Sequence, residues 1–411
     1  MNKNNLLLYL MIAGIVLGAF CGWFFGRDMH VVDWIGEIFL DLLKMLVIPL
    51  IISSMIVGIS GLGDIRKVGK TGLITLIYFT ATTAVAVAIG LVVVNLFQPG
   101  AGVDFSGQQV PERVVDGEPL GITDILKSFV SPNLVASMAE MQVLPLIVFS
   151  LFFGGVLTTL GEKGRPVIVF FDGVNEAVMK IVHLVMYVAP VGVFALIASK
   201  LGAAGGGELF FAELMKVGMY AMTVVLGLLL HAAVILPLVL FMMTGRNPIA
   251  YLKNASEAVT TAFSTASSSA TLPVTIDCAE KKNTVSRKTA LFVLPIGATV
   301  NMDGTALYES VAALFIAQMA GIHLGFGEQI VVFITATLAA IGAAGIPEAG
   351  LVTMVLVLES VGLPLEGIAM LLSIDWFLDR CRTATNVWGD SVGAAVVDTL
   401  EEKFVEGGNR P

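Results

Sequence analysis

Charge is scarce in this chain. Asp, Glu, Lys and Arg supply 13% of its 411 residues, where an ordinary soluble domain carries roughly 25%. Cysteine is scarcer still: Cys21, Cys278 and Cys381 lie far apart inside apolar stretches. That spacing excludes a disulfide framework or a cysteine-held metal and leaves small buried hydrophobes. Histidine is equally thin. His183 and His231 each stand alone in an apolar segment, with no second histidine or carboxylate at ligand spacing, so each reads as a satisfied buried side chain. No phosphate-binding loop, dinucleotide fingerprint or zinc motif occurs, which argues against an ATP-driven pump and any bound cofactor.

What is there is apolar. The AVILMFWYC set makes up 56% of the chain, with 43 glycines besides, against about 45–50% with glycine included in soluble domains. A soluble core of this size could not hide that much apolar surface, so the solvent is lipid. Runs long enough to cross about 30 Å of hydrocarbon fall at 6–25, 32–61, 71–98, 134–160, 167–200, 213–244, 250–280, 289–320, 328–361 and 366–398. Leu6 to Phe25 has no small-residue cleavage site and reads as a first span rather than a leader. Lys3, then Arg66, Lys67 and Lys70, then Lys163 and Arg165, then Arg246 and Lys253 flank alternate loops. By the positive-inside rule these face the cytoplasm, with both termini, in a multi-pass protein of the plasma (inner) membrane. The acids gather in the opposite loops, chiefly Asp104 to Asp124, so the net charge of −9 gives no reason to expect a nucleic-acid partner.

Two runs break the alternation. The seventh has Arg246 and Lys253 at one end and Lys281, Lys282, Arg287 and Lys288 at the other. A full crossing would put one cluster outside; a re-entrant hairpin keeps both inside. Its middle, Thr265-Ala-Ser-Ser-Ser-Ala-Thr-Leu-Pro273, is small, polar and stopped by proline. The ninth run, bounded by Glu328 and Glu359 with Gly342-Ala-Ala-Gly-Ile-Pro-Glu-Ala-Gly350 at its centre, mirrors it from the other face. Paired interrupted segments of this kind point to inverted repeats around a midplane site. The expected fold is therefore an all-α polytopic membrane protein with eight transmembrane helices and two re-entrant helical hairpins.

The last span carries the most specific chemistry. At about 100° per residue, Asp375, Asp379, Arg382, Thr383, Asn386 and Asp390 share one stripe of an otherwise apolar helix. Intramembrane ionisable residues are costly and mark sites by default. The stripe offers a guanidinium fork for a carboxylate, a carboxylate for an ammonium, and hard oxygen donors for a small cation. In the eighth run, Gly297-Ala-Thr-Val-Asn-Met-Asp-Gly-Thr305 favours local unwinding that frees backbone carbonyls for a cation. Glu309 lies one helical turn beyond Thr305 on the same face, beside the pocket, where a carboxyl can take up and return a proton.

These motifs resemble the glutamate transporter family, the dicarboxylate/amino acid:cation symporters, over nearly the whole chain. Its anchors are Ser267-Ser-Ser-Ala-Thr-Leu-Pro273, Asn301-Met-Asp-Gly-Thr305, the Gly345-Ile-Pro347 tip and Asp379-Arg-Cys-Arg-Thr-Ala-Thr-Asn386. The resemblance implies uptake of L-glutamate or L-aspartate with Na⁺ and H⁺, K⁺ counter-transport being left open. A proton-only symporter, or a dicarboxylate or neutral amino acid carrier, is the alternative. It implies substrate contacts from Ser268, Thr305, the Ile346 to Gly350 backbone, Asp379 (amino group), Arg382 (side-chain carboxylate), Thr383 and Asn386. One sodium site would use Gly297, Asn301, Asn386 and Asp390; a deeper one Thr82, Thr83, Asn301 and Asp303; a third the backbone at Thr299, Met302, Ile341 and Ala343. Glu309 with Arg380 would couple the proton. A homotrimer with an elevator mechanism is implied. Residues 1–70 and 134–204 would be scaffold and 99–133 an external loop. Residues 71–98 and 205–411 would be the transport domain, with hairpins near 247–281 and 326–361.

Departures from the family pattern sit mainly around the cations. Phe79 replaces a tyrosine, though Tyr78 adjoins it, and Ala340 and Ala343 replace hydroxyl residues. Ala266 with Arg380, and Glu309, follow the animal branch rather than the archaeal one, while Glu348 departs from the glutamine usual in animal proteins. An enzyme is not expected. Gly61-Leu-Gly-Asp64 matches an intramembrane aspartyl protease fragment, but no Tyr-Asp dipeptide supplies the second aspartate such chemistry needs.

Overall fold

The computed structural model describes residues 3–60, 69–101, 127, 129–140, 142–203, 208–343, 345 and 349–408. Within them every regular element is helical. The first half holds α1 (Lys3–Phe25), α2 (Asp33–Ser60), α3 (Gly69–Phe97), α4 (Leu134–Ala139), α5 (Val143–Thr159) and α6 (Arg165–Ala203). The second half holds α7 (Glu208–Leu230), a π turn (His231–Ile235), α8 (Leu236–Thr244), α9 (Pro248–Thr265) and α10 (Ser268–Asp277). It continues with α11 (Arg287–Val300), α12 (Asp303–Met319), α13 (Phe326–Gly342), α14 (Ala349–Ser360) and α15 (Ile368–Gly408). The Gly61-Leu-Gly-Asp64 motif and the acidic stretch Asp104 to Asp124 lie outside the described residues.

Among the described residues, four helical stretches are long and apolar enough to cross a bilayer: Ala13–Phe39, Thr71–Phe97, Met215–Thr244 and Arg287–Met319. A fifth arises if Arg165–Val182 and Tyr187–Ser199, bent by 53°, act as one span. Large apolar side chains such as Leu17, Val92, Phe152, Met222 and Phe241 are exposed, as expected where lipid replaces water. The chain is a multi-pass membrane protein.

Helices α1, α2, α5 and α6 pack on one another. Gly14 and Gly18, one turn apart, let the backbone of α1 approach α6: a Cβ there would stand 2.5 Å from the Pro190 carbonyl and 2.8 Å from that of Phe194. Small residues at this spacing are the usual means of close packing in lipid. The second group gathers α3, α7 to α12 and α15, and α13 and α14 pack against both groups. At the base of the second group, Glu401 accepts hydrogen bonds from Thr71 of α3 and from Lys288 and Thr289 of α11. Burial raises its carboxyl pKa, but these donors outweigh burial and hold it below the ordinary carboxylate value.

Each break in the second group has a local cause. Asn247 caps α9 through Ile249 N (3.0 Å) and Ala250 N (3.1 Å), with Pro248 at the first helical position. Helix α9 stops at Ala266, held at φ 51°, a left-handed conformation costing an L-residue about 1–2 kcal/mol. Ser267 then caps α10 by accepting from Ala270 N at 3.1 Å. The two arms fold back on each other around this tip. In the eighth run the chain leaves the helix at Asn301 (ψ 78°) and Met302 (ψ 49°) before α12 begins.

Candidate functional site

Three interruptions converge: the tip at Ala266, the break at Asn301 and Met302, and the break between α13 and α14. The carbonyl of Gly345, in the break between α13 and α14, accepts from Ser267 Oγ (2.7 Å) and Ser269 N (3.0 Å) at the other tip. No side chain fits there, because a Cβ on Gly345 would lie 2.2 Å from the Ala298 carbonyl and 2.6 Å from Ser269 Oγ. Behind this junction lies a small, partly open cavity, walled by Ser268, Thr305, Gly345, Asp379, Thr383 and Asn386 among others. Ser268 opens α10 and Gly350 is the second residue of α14, so two helix N-termini border the cavity, a setting that favours an anion. Of the residues expected to hold substrate, Ser268, Thr305, Gly350, Asp379, Thr383 and Asn386 therefore line one space. Ile346 lies outside the described residues.

Arg382 sits just behind that wall. It is fully buried, with Nη2 donating to Asp379 Oδ1 at 2.8 Å and Nη1 3.2 Å from Asp375 Oδ1. Its guanidinium carbon stands 3.9 Å from the centre of the Tyr308 ring, a stacked cation–π contact. A Cβ on Gly350 would meet Nη1 at 2.8 Å, so glycine there keeps the guanidinium reachable from the cavity. Nε finds no hydrogen-bond acceptor among the described residues, and Nη1 has Asp375 as an ion-pair partner. The sequence reading treated Asp379 and Arg382 as separate ligands, whereas here they face each other. Tyr308 was not singled out, since an aromatic in an apolar helix carries no signal of what lies across from it.

The residues expected around cations also meet. Asn301 donates to Asp390 Oδ1 at 2.9 Å and receives the Thr82 hydroxyl at 3.4 Å, linking two of the expected sites. Thr83 donates to Asp303 Oδ1 at 2.7 Å and Thr82 to the same atom at 3.4 Å. Gly297 faces Asp390, whose Oδ1 would be 2.6 Å from a Cβ at that position. Asn386 uses Oδ1 to hold Gly304 N at 2.7 Å, at the start of α12. Among the described residues no three His, Cys, Asp or Glu cluster as a metal group would. The donor set is carboxylates mixed with neutral hydroxyl, amide and carbonyl oxygens, which suits a weakly charged hard cation carried as cargo. Met302 and Ala343 of the third set border the cavity. The Thr299 side chain is exposed, with its hydroxyl on Ile296 O, and Ile341 is half-buried. Phe79 is fully buried against Gly297 and brings no hydroxyl to the site.

Glu309 is fully buried. Thr353 and Arg382 are the groups that act on it. Arg380 is elsewhere: it is half-buried, donates to Trp376 O at 2.8 Å and lies over the Trp376 ring. The cation whose charge reaches Glu309 is Arg382, and Arg380, two residues away on the helix, points to a different side. His231, read from sequence as an isolated buried histidine, meets Asp303 Oδ2 at 2.9 Å.

Broken helices, paired tips and a buried charged pocket define a secondary-active membrane carrier, not an enzyme. Residues 7–400 match the pattern of the sodium:dicarboxylate symporter family. Excitatory amino acid transporter 1 of Ambystoma tigrinum is 38% identical, the alignment covering 100% of this chain and 85% of that protein. Excitatory amino acid transporter 3 of Homo sapiens is 39% identical, over 98% of this chain and 87% of its own. An excitatory amino acid transporter of Caenorhabditis elegans is 39% identical, over 96% and 88%. The chain belongs to the sodium:dicarboxylate symporter family.

Proposed function

We propose that this protein takes up an acidic amino acid, aspartate or glutamate, on an inward sodium gradient, with a proton carried alongside. The observation that carries the reading is Arg382: a fully buried guanidinium whose Nε has no acceptor among the described residues and whose Nη1 lies against Gly350, on the cavity wall. A desolvated fork of that kind has a carboxylate as its natural ligand. Asp379, already its partner, lies on the cavity wall and can take the substrate ammonium. The names of the relatives, excitatory amino acid transporters, agree with this substrate class. The packing of α1, α2, α5 and α6 on one another supports a scaffold past which the remaining helices move as a transport domain. On this reading the breaks at 265–268 and 343–349 are tips of re-entrant hairpins. Eight helices cross fully, and the family's homotrimeric elevator applies.

The deciding experiment is radiolabelled aspartate uptake into proteoliposomes, with sodium and pH gradients imposed separately. Uptake that concentrates aspartate on a sodium gradient alone is the expected result. Full-rate uptake in choline buffer on an acid-outside gradient would instead make the protein a proton-only symporter.

Two variants refine the coupling. Asp390→Asn removes a charged ligand while keeping its shape. Hydrogen bonds to charged groups contribute about 1.5–3 kcal/mol, so half-saturating sodium should rise roughly 10- to 100-fold with substrate preference unchanged. An unaltered sodium curve would take Asp390 out of the cation site. Glu309→Gln keeps shape but cannot ionise. A fully buried carboxyl is tolerated far better neutral than charged, so the amide should fold and exchange substrate normally. Its exchange should lose the wild-type dependence on pH, and net uptake should fall. If Glu309→Gln still moved protons with substrate, Glu309 would be structural.

A further inference from the structure

We propose that His231 is a positioning residue for the deeper cation site: its Nε2–H holds Asp303 Oδ2 and thereby aims Oδ1 at Thr82, Thr83 and the ion. The inference rests on the sodium reading above and adds to it a residue from a helix that supplies no ligand. His231 and Asp303 are 72 residues apart in sequence, both wholly buried, and 2.9 Å apart from Nε2 to Oδ2.

Three features show that this contact is built rather than incidental. His231 opens a π turn, His231–Ile235, between α7 and α8; such turns cost helix geometry and concentrate at functional sites. Trp388 of α15 donates to the Ala232 carbonyl in that turn at 3.0 Å, fixing it against the helix that carries Asp390. Asp303 divides its oxygens cleanly, Oδ1 taking Thr83 (2.7 Å) and Thr82 (3.4 Å), and Oδ2 taking His231. Gly389 closes the far side, since a Cβ there would lie 2.8 Å from Asn301 Nδ2 and 3.4 Å from Asp303 Oδ2.

The tautomer follows from the partner. Asp303 Oδ2 accepts, so the proton sits on Nε2, and Nδ1, which meets no donor among the described residues, is the bare nitrogen. A ligating carboxylate whose second oxygen is unanchored can rotate, and its ion loses a fixed donor. Outer partners of ligands are worth about 10- to 100-fold in metal affinity. No change of charge on His231 is invoked.

The test uses purified full-length protein in detergent at one fixed neutral pH, with choline chloride replacing sodium chloride. Two readouts are followed against sodium: the unfolding temperature and equilibrium binding of labelled aspartate. His231→Gln, which can present a donor where Nε2 stands, should keep half-saturating sodium within about threefold of wild type. His231→Leu, which cannot, should raise it about 10- to 100-fold. Aspartate affinity at saturating sodium should be unchanged in both. Should His231→Leu fail to fold, His231→Asn, whose donor stops short of Asp303, takes its place with the same expected shift. Trp388→Phe, which releases the same turn without touching Asp303, should shift sodium less than His231→Leu. A wild-type sodium curve in His231→Leu or His231→Asn overturns the proposal. So does a loss in His231→Gln equal to that in His231→Leu, because packing and not donation would then be at work. A wild-type protein indifferent to sodium in both readouts would instead overturn the sodium reading itself.

Discussion

Arg382→Thr should lower affinity for aspartate by at least two decades and leave a pocket open to small neutral amino acids such as serine. Removing one member of a buried charge pair costs about 3–5 kcal/mol, and every 1.4 kcal/mol is about tenfold. Here the guanidinium lies between two carboxylates, Asp379 at 2.8 Å and Asp375 at 3.2 Å, and under the Tyr308 ring. Its loss therefore leaves two buried acids uncompensated as well as removing the ligand. The variant should be both less stable and unable to hold a second carboxylate. Asp375→Asn in the same chain separates these effects: stability should recover, and aspartate binding should not. Arg382→Lys keeps the charge but not the fork or the flat stacking face, and should recover binding only in part. Equilibrium binding of labelled aspartate and serine, with thermal unfolding alongside, checks all three. Unchanged aspartate affinity in Arg382→Thr would move the carboxylate site elsewhere.

Gly345→Val should abolish concentrative uptake while leaving the protein folded. The Gly345 carbonyl joins the two tips, yet a Cβ on its own Cα would stand 2.2 Å from the Ala298 carbonyl. A backbone oxygen cannot swing aside as a flexible side chain can, so the tip must lift. Overpacking costs about 1–3 kcal/mol for modest additions and occasionally more, with Gly345→Ala at the lower end and Gly345→Val above it. The strain falls on the closed junction and not on the helix core, so the unfolding temperature should change little. Substrate should exchange slowly or leak. A cysteine pair or spin labels across the tips would read the separation directly. Wild-type uptake in Gly345→Val would mean that the junction need not close for transport.

How much of this was legible in the sequence depends on whether the cause is local. The break after Thr265 follows from a run of small polar residues and a capping serine, and the break at Asn301 from Asn, Met, Asp and Gly in succession. The stripe from Asp375 to Asp390 follows from helical period alone. Arg380 shows the limit of that period. It and Arg382 are two residues apart, and choosing which one's charge reaches Glu309 requires knowing what packs on each side of α15. Sequence spacing favoured neither, and Trp376, four residues back on the same helix, holds Arg380 away.

By itself the sequence determined the solvent, the helical class, the positions of the interruptions and the residue types able to bind an acidic amino acid and a small cation. Each of these depends on composition or on neighbours within a few turns. The tertiary structure decided which charges face one another: Arg382 between Asp375 and Asp379 beneath Tyr308, Asn301 between Thr82 and Asp390, and His231 on Asp303. Buried polar groups must find partners, but periodicity repeats every helical turn and is blind to what lies across the interface. Which partner they find is fixed by how distant helices pack.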